Sequence, residues 1–127
     1  MKNIILLVDD EPDILKVVVS RLQNSGYKVL TAVDAEAAIV QLQKNIPDLI
    51  LLDLILPKMQ GDELCRMLKS DSKYRAIPII LFTASVIRIP EIVQDAGADD
   101  YVVKPFDSRE LLDKIQKFIA LAQPEKQ

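Results

Sequence analysis

The chain has 127 residues, half of them apolar, which is the size and composition of one globular domain. Its formal net charge of -3 gives no reason to expect nucleic acid or a membrane surface as a direct partner, and the absence of histidine excludes Ser-His-Asp and Cys-His mechanisms and histidine metal sites. The single cysteine, Cys65, excludes an internal disulfide. No apolar run has the length of a membrane span or the pattern of a signal peptide, so we expect a cytoplasmic protein.

Five short apolar runs predict the strands of a parallel sheet. Continuous runs of β-branched and aliphatic residues are typical of strands that are buried on both faces. Their starts lie about 20 to 30 residues apart, which is the length of one βα unit. The predicted strands are residues 4–8, 29–32, 49–52, 79–82 and 101–103.

Helices are predicted in the gaps between these strands, so the pattern is (βα)5 with helices on both faces of the sheet. Each helix has a recognisable start, either a capping residue, a first-turn proline or a glycine. The five starts are marked by Pro12, Asp34, Gly61, Pro90 and Asp107. We expect one domain over residues 1–122, followed by a polar tail or the start of a linker at 123–127.

Polar side chains follow four of the five predicted strands. Because the carboxyl ends of parallel strands lie at one edge of the sheet, where ligands bind, these side chains should meet there. A single aspartate at a strand end is common turn or capping chemistry, and only the joint pattern indicates a site. The residues are Asp9, Asp10 and Glu11 after the first strand, Asp53 after the third, Thr83 after the fourth and Lys104 after the fifth.

Carboxylates that converge at one edge repel each other. At ~4 Å and an effective dielectric constant of about 20, each pair costs roughly 4 kcal/mol, so either a pKa rises or a cation binds. With oxygen ligands alone, Mg²⁺ is the expected cation, and it takes one or two carboxylates together with a phosphate oxygen and water. An aspartate beside such an ion, with a lysine opposite, is suited to attack a phosphoryl group.

Seven sequence stretches, spread over nearly the whole chain, form a specific combined pattern. They are residues 7–11, 48–53, 56–61, 77–80, 83–84, 96–101 and 104–106. With them the chain resembles a receiver domain of the two-component response regulators, close to the chemotaxis-regulator type. The resemblance implies a doubly wound α/β fold with a five-stranded parallel sheet in the flavodoxin-like order 2-1-3-4-5.

The same resemblance implies a phosphorylation-activated signalling switch in a two-component phosphorelay. A sensor histidine kinase or a phosphotransfer protein would donate the phosphoryl group, and a downstream output domain or protein would receive the signal. Such a domain is a phosphoacceptor that promotes its own phosphorylation and dephosphorylation, and it is not classed as an enzyme.

The resemblance also implies which residues form the acceptor and metal sites. Asp53 would be the phosphoacceptor and would share the Mg²⁺ ion with Asp10, which binds it directly. Asp9 would reach the ion mostly through water, and the backbone carbonyl of Ile55 would complete the site.

Further roles follow from the resemblance for residues around the phosphoryl group. Lys104 would pair with the phosphoryl oxygens, and Thr83 would hydrogen-bond the phosphoryl group and carry the switch. Tyr101 would be the aromatic residue that turns inward on activation. The Lys104–Pro105 peptide bond would be cis, a geometry that only proline makes accessible at low cost.

Two regions depart from the common receiver pattern. Residues 84–96 are mostly apolar and contain Pro90, which predicts a short fourth helix that starts near this proline. We expect Val86, Ile87 and Ile89 to form an exposed contact patch, and residues 85–90 to be weakly protected from hydrogen exchange. Ile55 is apolar where many receivers carry a polar group, which predicts slow self-dephosphorylation.

Three other functions fit parts of the same sequence pattern. An aspartyl-phosphate phosphatase of the haloacid dehalogenase type needs a second acid two residues after the nucleophile, where this chain has Ile55. A flavin carrier of the same fold needs neutral donors after the first strand, where the acids at residues 9–11 would repel a phosphate. A docking module that works without phosphorylation stays open, although the complete set of acids, threonine and lysine argues against it.

Overall fold

Five parallel strands form one sheet in the order β2-β1-β3-β4-β5, which confirms the doubly wound α/β fold. The computed structural model describes residues 2–84 and 88–123. The strands are β1 (Ile4–Val8), β2 (Lys28–Ala32), β3 (Leu49–Asp53), β4 (Ile79–Thr83) and β5 (Asp100–Val103). The helices are α1 (Pro12–Asn24), α2 (Ala35–Lys44), α3 (Gly61–Lys69), α4 (Ile89–Ala96) and α5 (Ser108–Ala122).

The core lies on both faces of the sheet because successive side chains of each strand point to opposite sides. In β3, Ile50 and Leu52 pack with α2, α3 and α4, whereas Leu49 and Leu51 pack with α1 and α5. All five residues of β3 are buried. This central strand therefore carries its last residue, Asp53, to a fixed position at the carboxyl edge.

Four of the five strands are one residue longer than the apolar runs that predict them. The structure adds Lys28 to β2, Asp53 to β3, Thr83 to β4 and Asp100 to β5. The added residues are polar, and backbone pairing continues through them regardless of their side chains. The candidate site residues Asp53 and Thr83 thus belong to the sheet itself and not to the loops that follow it.

Helix starts agree with the capping signals in the sequence. The Asp34 carboxylate accepts a hydrogen bond from the backbone N–H of Ala37, and Asp107 accepts one from Arg109, both at 2.8 Å. Gly97 ends α4 with a φ of 75°, in the left-handed region that favours glycine. None of the described helices has the length and apolar character that would let it cross a membrane.

Helix α4 is short, as its proline predicts, but the exposed apolar patch proposed for this region is wrong at Ile89. This side chain is only 2% exposed. The helix begins at Ile89, one residue before Pro90, and residues 89, 92, 93 and 96 then share the face that turns toward the core. The other patch residues, Val86 and Ile87, lie outside the described residues, as do Ser85 and the end of the expected tail at 124–127.

Candidate functional site

The carboxyl edge of the sheet brings together the polar residues that follow the strands. Within residues 2–84 and 88–123, the buried polar and charged side chains are Asp9, Asp53, Thr83 and Lys104. An open cleft of about 530 Å³ lies over them. Its walls are formed by Asp10, Glu11, Asp53, Ile55, Thr83, Ala84 and Lys104. Residues up to 95 positions apart in sequence thus share one site, as the strand pattern predicts.

Backbone hydrogen bonds continue one residue beyond two of the strands and fix the side chains there. The N–H of Asp9 donates to the carbonyl of Ala32 at 3.0 Å, and the N–H of Lys104 donates to the carbonyl of Thr83 at 2.8 Å. Both residues thus continue the backbone pairing of the sheet. Rigid placement suits a site that must bind small charged groups with little rearrangement.

Gly61, the first residue of α3, makes a close backbone approach to Asp53. Its N–H donates to the carbonyl of Leu54 at 2.8 Å, and a Cβ at this position would lie 2.0 Å from the backbone oxygen of Asp53. Only glycine leaves room for this contact. The sequence marks Gly61 as a helix start, but its role in seating Asp53 appears only in the structure.

Lys104 is the centre of the charge network. Its Nζ donates to Asp9 Oδ2 at 2.7 Å, to Asp53 Oδ2 at 3.0 Å and to Glu11 Oε1 at 3.1 Å. It also lies 4.9 Å from the centre of the Phe82 ring. Glu11 appears in the sequence only as a third acid after β1, and the fold identifies it as a direct partner of the lysine.

Burial and pairing act on the ionisation of this network in opposite directions. Burial raises the pKa of the Asp53 carboxyl above its ordinary value, and the hydrogen bond from Lys104 offsets only part of this rise. Burial lowers the pKa of the Lys104 ammonium, but hydrogen bonds to Asp9 and Asp53 outweigh it, so that pKa is raised. Asp53 is therefore a poorly solvated carboxylate that depends on a neighbouring cation.

Three aspartates at this edge have the arrangement of a cation site. Asp9, Asp10 and Asp53 each place one carboxylate oxygen within 4.8 Å of the others. All three donors are hard oxygen ligands, which fit Mg²⁺ better than a transition metal. Asp10 is exposed and the other two are buried, so a bound ion would contact both the protein and water.

The remaining predicted residues lie at the border of the cleft or outside it. Ile55 lines the cleft with a side chain that is 58% exposed, and its backbone N–H donates to Asp53 Oδ1 at 3.1 Å. The Lys104–Pro105 peptide bond is cis. Tyr101 does not line the cleft: it is partly buried against the core on the α2, α3 and α4 side, and its backbone carbonyl accepts from Lys114 Nζ at 2.6 Å.

Comparison with known proteins identifies the family. A family model described as the response regulator receiver domain matches residues 5–116. The DNA-binding dual master transcriptional regulator RpaA of Synechocystis is 42% identical over 120 residues, which cover 91% of this chain and 48% of that protein. The chain spans about half the length of the curated relatives that it matches.

Solved structures agree with this assignment. A putative response regulator from Chloroflexus aurantiacus superimposes with a TM-score of 0.90 at 31% identity, covering 94% of this chain and 99% of that one. The receiver domain of a sensor histidine kinase from Pseudomonas aeruginosa, with a magnesium ion in its active site cleft, gives a TM-score of 0.86 at 32% identity, with 94% and 99% coverage. The chain belongs to the response regulator receiver domain family and is the phosphoacceptor switch module of two-component signalling.

Proposed function

We propose that Asp53 is the phosphoacceptor of this domain and that the transfer depends on Mg²⁺. The observation that carries the proposal is the position of Lys104 Nζ, which bridges the buried carboxylates of Asp9 and Asp53 at 2.7 and 3.0 Å. With acetyl phosphate as donor, the bond between phosphorus and the acetate oxygen breaks. A carboxylate oxygen of Asp53 forms the new bond to phosphorus, and acetate leaves with its charge.

Around this carboxylate, the other acids would hold the cation. Asp10 and Asp53 would bind Mg²⁺ directly, Asp9 would act mostly through water, and the backbone carbonyl of Ile55 would complete the set. When bound, the ion neutralises the repulsion between the Asp53 carboxylate and the incoming phosphoryl oxygens. The donor set supports this assignment because every side chain in it is a carboxylate and one of them is open to water.

Lys104 and Thr83 stabilise the product. Lys104 pairs with a phosphoryl oxygen, and Thr83, which ends the neighbouring strand β4, hydrogen-bonds the phosphoryl group. Its movement toward the phosphoryl group is the step that switches the domain, and Tyr101 follows by turning inward. Thr83 and Tyr101 lie on adjacent strands, because Leu81 pairs with Tyr101 and Thr83 pairs with Val103 in the β4–β5 register.

The domain acts between a donor and an output partner. A sensor histidine kinase or a phosphotransfer protein supplies the phosphoryl group, and an output domain or a separate protein responds. The relatives contain about as many further residues as this chain covers, which supports an output region beyond this domain. The chain promotes its own phosphorylation and dephosphorylation and acts as a switch more than as a turnover enzyme.

Intact-mass spectrometry with acetyl phosphate tests the proposal. The protein should gain one phosphoryl unit when Mg²⁺ is present and none when the metal is chelated. Asp53→Asn should abolish the gain. Asp48→Asn is the matched control, because Asp48 lies just before the same strand and, among residues 2–84 and 88–123, bonds to Ile4 and Gln123. Equal labelling of Asp53→Asn and wild type would refute the assignment.

A further inference from the structure

All three hydrogens of the Lys104 ammonium are already in use. A protonated lysine has three N–H donors and no acceptor. Its three partners here are carboxylate oxygens of Asp9, Asp53 and Glu11, at 2.7, 3.0 and 3.1 Å. A phosphoryl oxygen that pairs with Lys104 must therefore displace one of these carboxylates.

Glu11 differs from the other two partners in how it is held. The side chains of Asp9 and Asp53 are 0% and 5% exposed, and that of Glu11 is 59% exposed. Asp9 and Asp53 each also accept a backbone N–H, from Glu11 at 2.9 Å and from Ile55 at 3.1 Å. Lys104 is the single partner of the Glu11 carboxylate within the described part of the chain.

Release of Glu11 is also the least disruptive for the fold. A carboxylate that is more than half exposed exchanges its lysine for water, whereas a buried carboxylate that loses its cation stays without solvation. Glu11 precedes α1 but makes no capping hydrogen bond with its side chain. The helix therefore has no capping hydrogen bond to lose when this carboxylate moves.

We propose that Glu11 is a positioning residue that occupies the third donor of Lys104 in the resting domain and is displaced by the phosphoryl group. This inference rests on the proposed function of Asp53. Glu11 keeps the lysine fully paired at the mouth of the cleft and competes with the incoming anion. Replacement of the Glu11 carboxylate should therefore tighten the binding of a phosphoryl group, even though the new side chain makes no contact with that group.

Two substitutions separate competition from simple charge repulsion. Glu11→Gln removes both the ion pair and the negative charge. Glu11→Asp keeps the charge at the mouth of the cleft but is one methylene shorter, so it reaches Lys104 less well. Asp13→Asn is the control, since Asp13 is an exposed acid in the first turn of α1 with no part in the network.

The test is a calorimetric titration of each protein with beryllofluoride, a phosphoryl mimic, at saturating Mg²⁺. Glu11→Gln should bind it about two- to fivefold more tightly than wild type, the range expected for loss of a largely exposed ion pair. Glu11→Asp should also bind more tightly, and Asp13→Asn should match wild type. Titration with Mg²⁺ alone should show no gain in affinity for Glu11→Gln, which excludes a general tightening of the site.

Each other result overturns the inference in a distinguishable way. No binding to wild type contradicts the proposed function and the inference together. Binding to wild type with unchanged or weaker binding to Glu11→Gln leaves the proposed function intact and refutes the competition. A gain in Glu11→Gln that is absent in Glu11→Asp, or equal in Asp13→Asn, would assign the effect to charge alone.

Discussion

The two ends of the sheet use the same residue types in different ways. At the amino end, the Asp48 carboxylate accepts from the backbone N–H of Ile4 at 2.7 Å and from the side-chain amide of Gln123 at 2.5 Å. Lys69, also at that end, donates to the carbonyls of Arg75 and Ile77 and to the carboxylate of Asp99. Its charge is matched by one carboxylate.

At the carboxyl end the charges do not balance. Lys104 is shared by three carboxylates, and the Asp10 carboxylate lies beside two of them. Two neutral donors satisfy the single carboxylate of Asp48, whereas several carboxylates around one lysine repel each other and favour the binding of a further cation. The comparison shows that Asp53 lies among carboxylates that share one lysine, whereas Asp48 is held by two neutral donors.

The largest expected effect is on stability, from removal of the lysine at each end. Lys104→Met should destabilise the fold by about 3 kcal/mol, because Asp9 and Asp53 would remain buried without their cation. Lys69→Met should cost about 1 kcal/mol, since two of its three partners are neutral carbonyls. Urea unfolding of both variants gives the two values.

Mg²⁺ provides the control for this pair. The ion should restore part of the free energy of unfolding lost in Lys104→Met, because it binds to the surplus carboxylates. It should not restore the free energy of unfolding lost in Lys69→Met. Equal losses in both variants, with no difference in their response to Mg²⁺, would mean that the two ends are electrostatically alike.

Glycine substitutions compare backbone constraints at the same two ends. Gly61→Ala should cost about 2 to 3 kcal/mol and reduce labelling of Asp53, because the new Cβ meets the Asp53 backbone oxygen at 2.0 Å. Gly26→Ala, before β2, should cost about 1 kcal/mol through its φ of 93° alone, since nothing lies within 4 Å of the added carbon. Its labelling should stay normal. Normal labelling of a folded Gly61→Ala would show that this contact does not position the acceptor.

Asp48→Asn should have a smaller effect that is confined to stability. One of the two neutral donors loses its carboxylate partner, which costs about 1 kcal/mol. Phosphorylation should proceed at the wild-type rate, because the substitution lies at the opposite end of β3 from Asp53. Thermal unfolding and the labelling rate can be measured on the same sample, and a fall in rate without a fall in stability would contradict the division of roles.

Ile55→Asn should leave stability within about 0.5 kcal/mol of wild type, since the Ile55 side chain is 58% exposed. Its effect should fall on the lifetime of the phosphoryl group. An amide at the mouth of the cleft can orient an attacking water, so dephosphorylation should become faster than in wild type. The decay of phosphoprotein after donor removal measures this. An unchanged or slower decay would show that Ile55 does not exclude water.

The sequence predicts the sheet and most of the site because both depend on position along the chain. Asp53, Thr83 and Lys104 follow strands that run in one direction, and the topology brings them together. Gly61 and Glu11 depend on contacts between distant segments, so their roles appear only after folding. The apolar residues before Pro90 suggest an exposed loop that includes Ile89, whereas the helix begins at Ile89 and buries it.

The most direct test determines which carboxylate carries the phosphoryl group. After labelling with acetyl phosphate and Mg²⁺, borohydride reduces an acyl phosphate to the alcohol and converts the modified aspartate to homoserine. Peptide mass spectrometry then locates the change. We expect it at Asp53 alone, in wild type and in the Asp48→Asn and Ile55→Asn variants. Homoserine at Asp9 or Asp10, or at Asp48 at the other end of the sheet, would contradict the assignment of Asp53 as the acceptor.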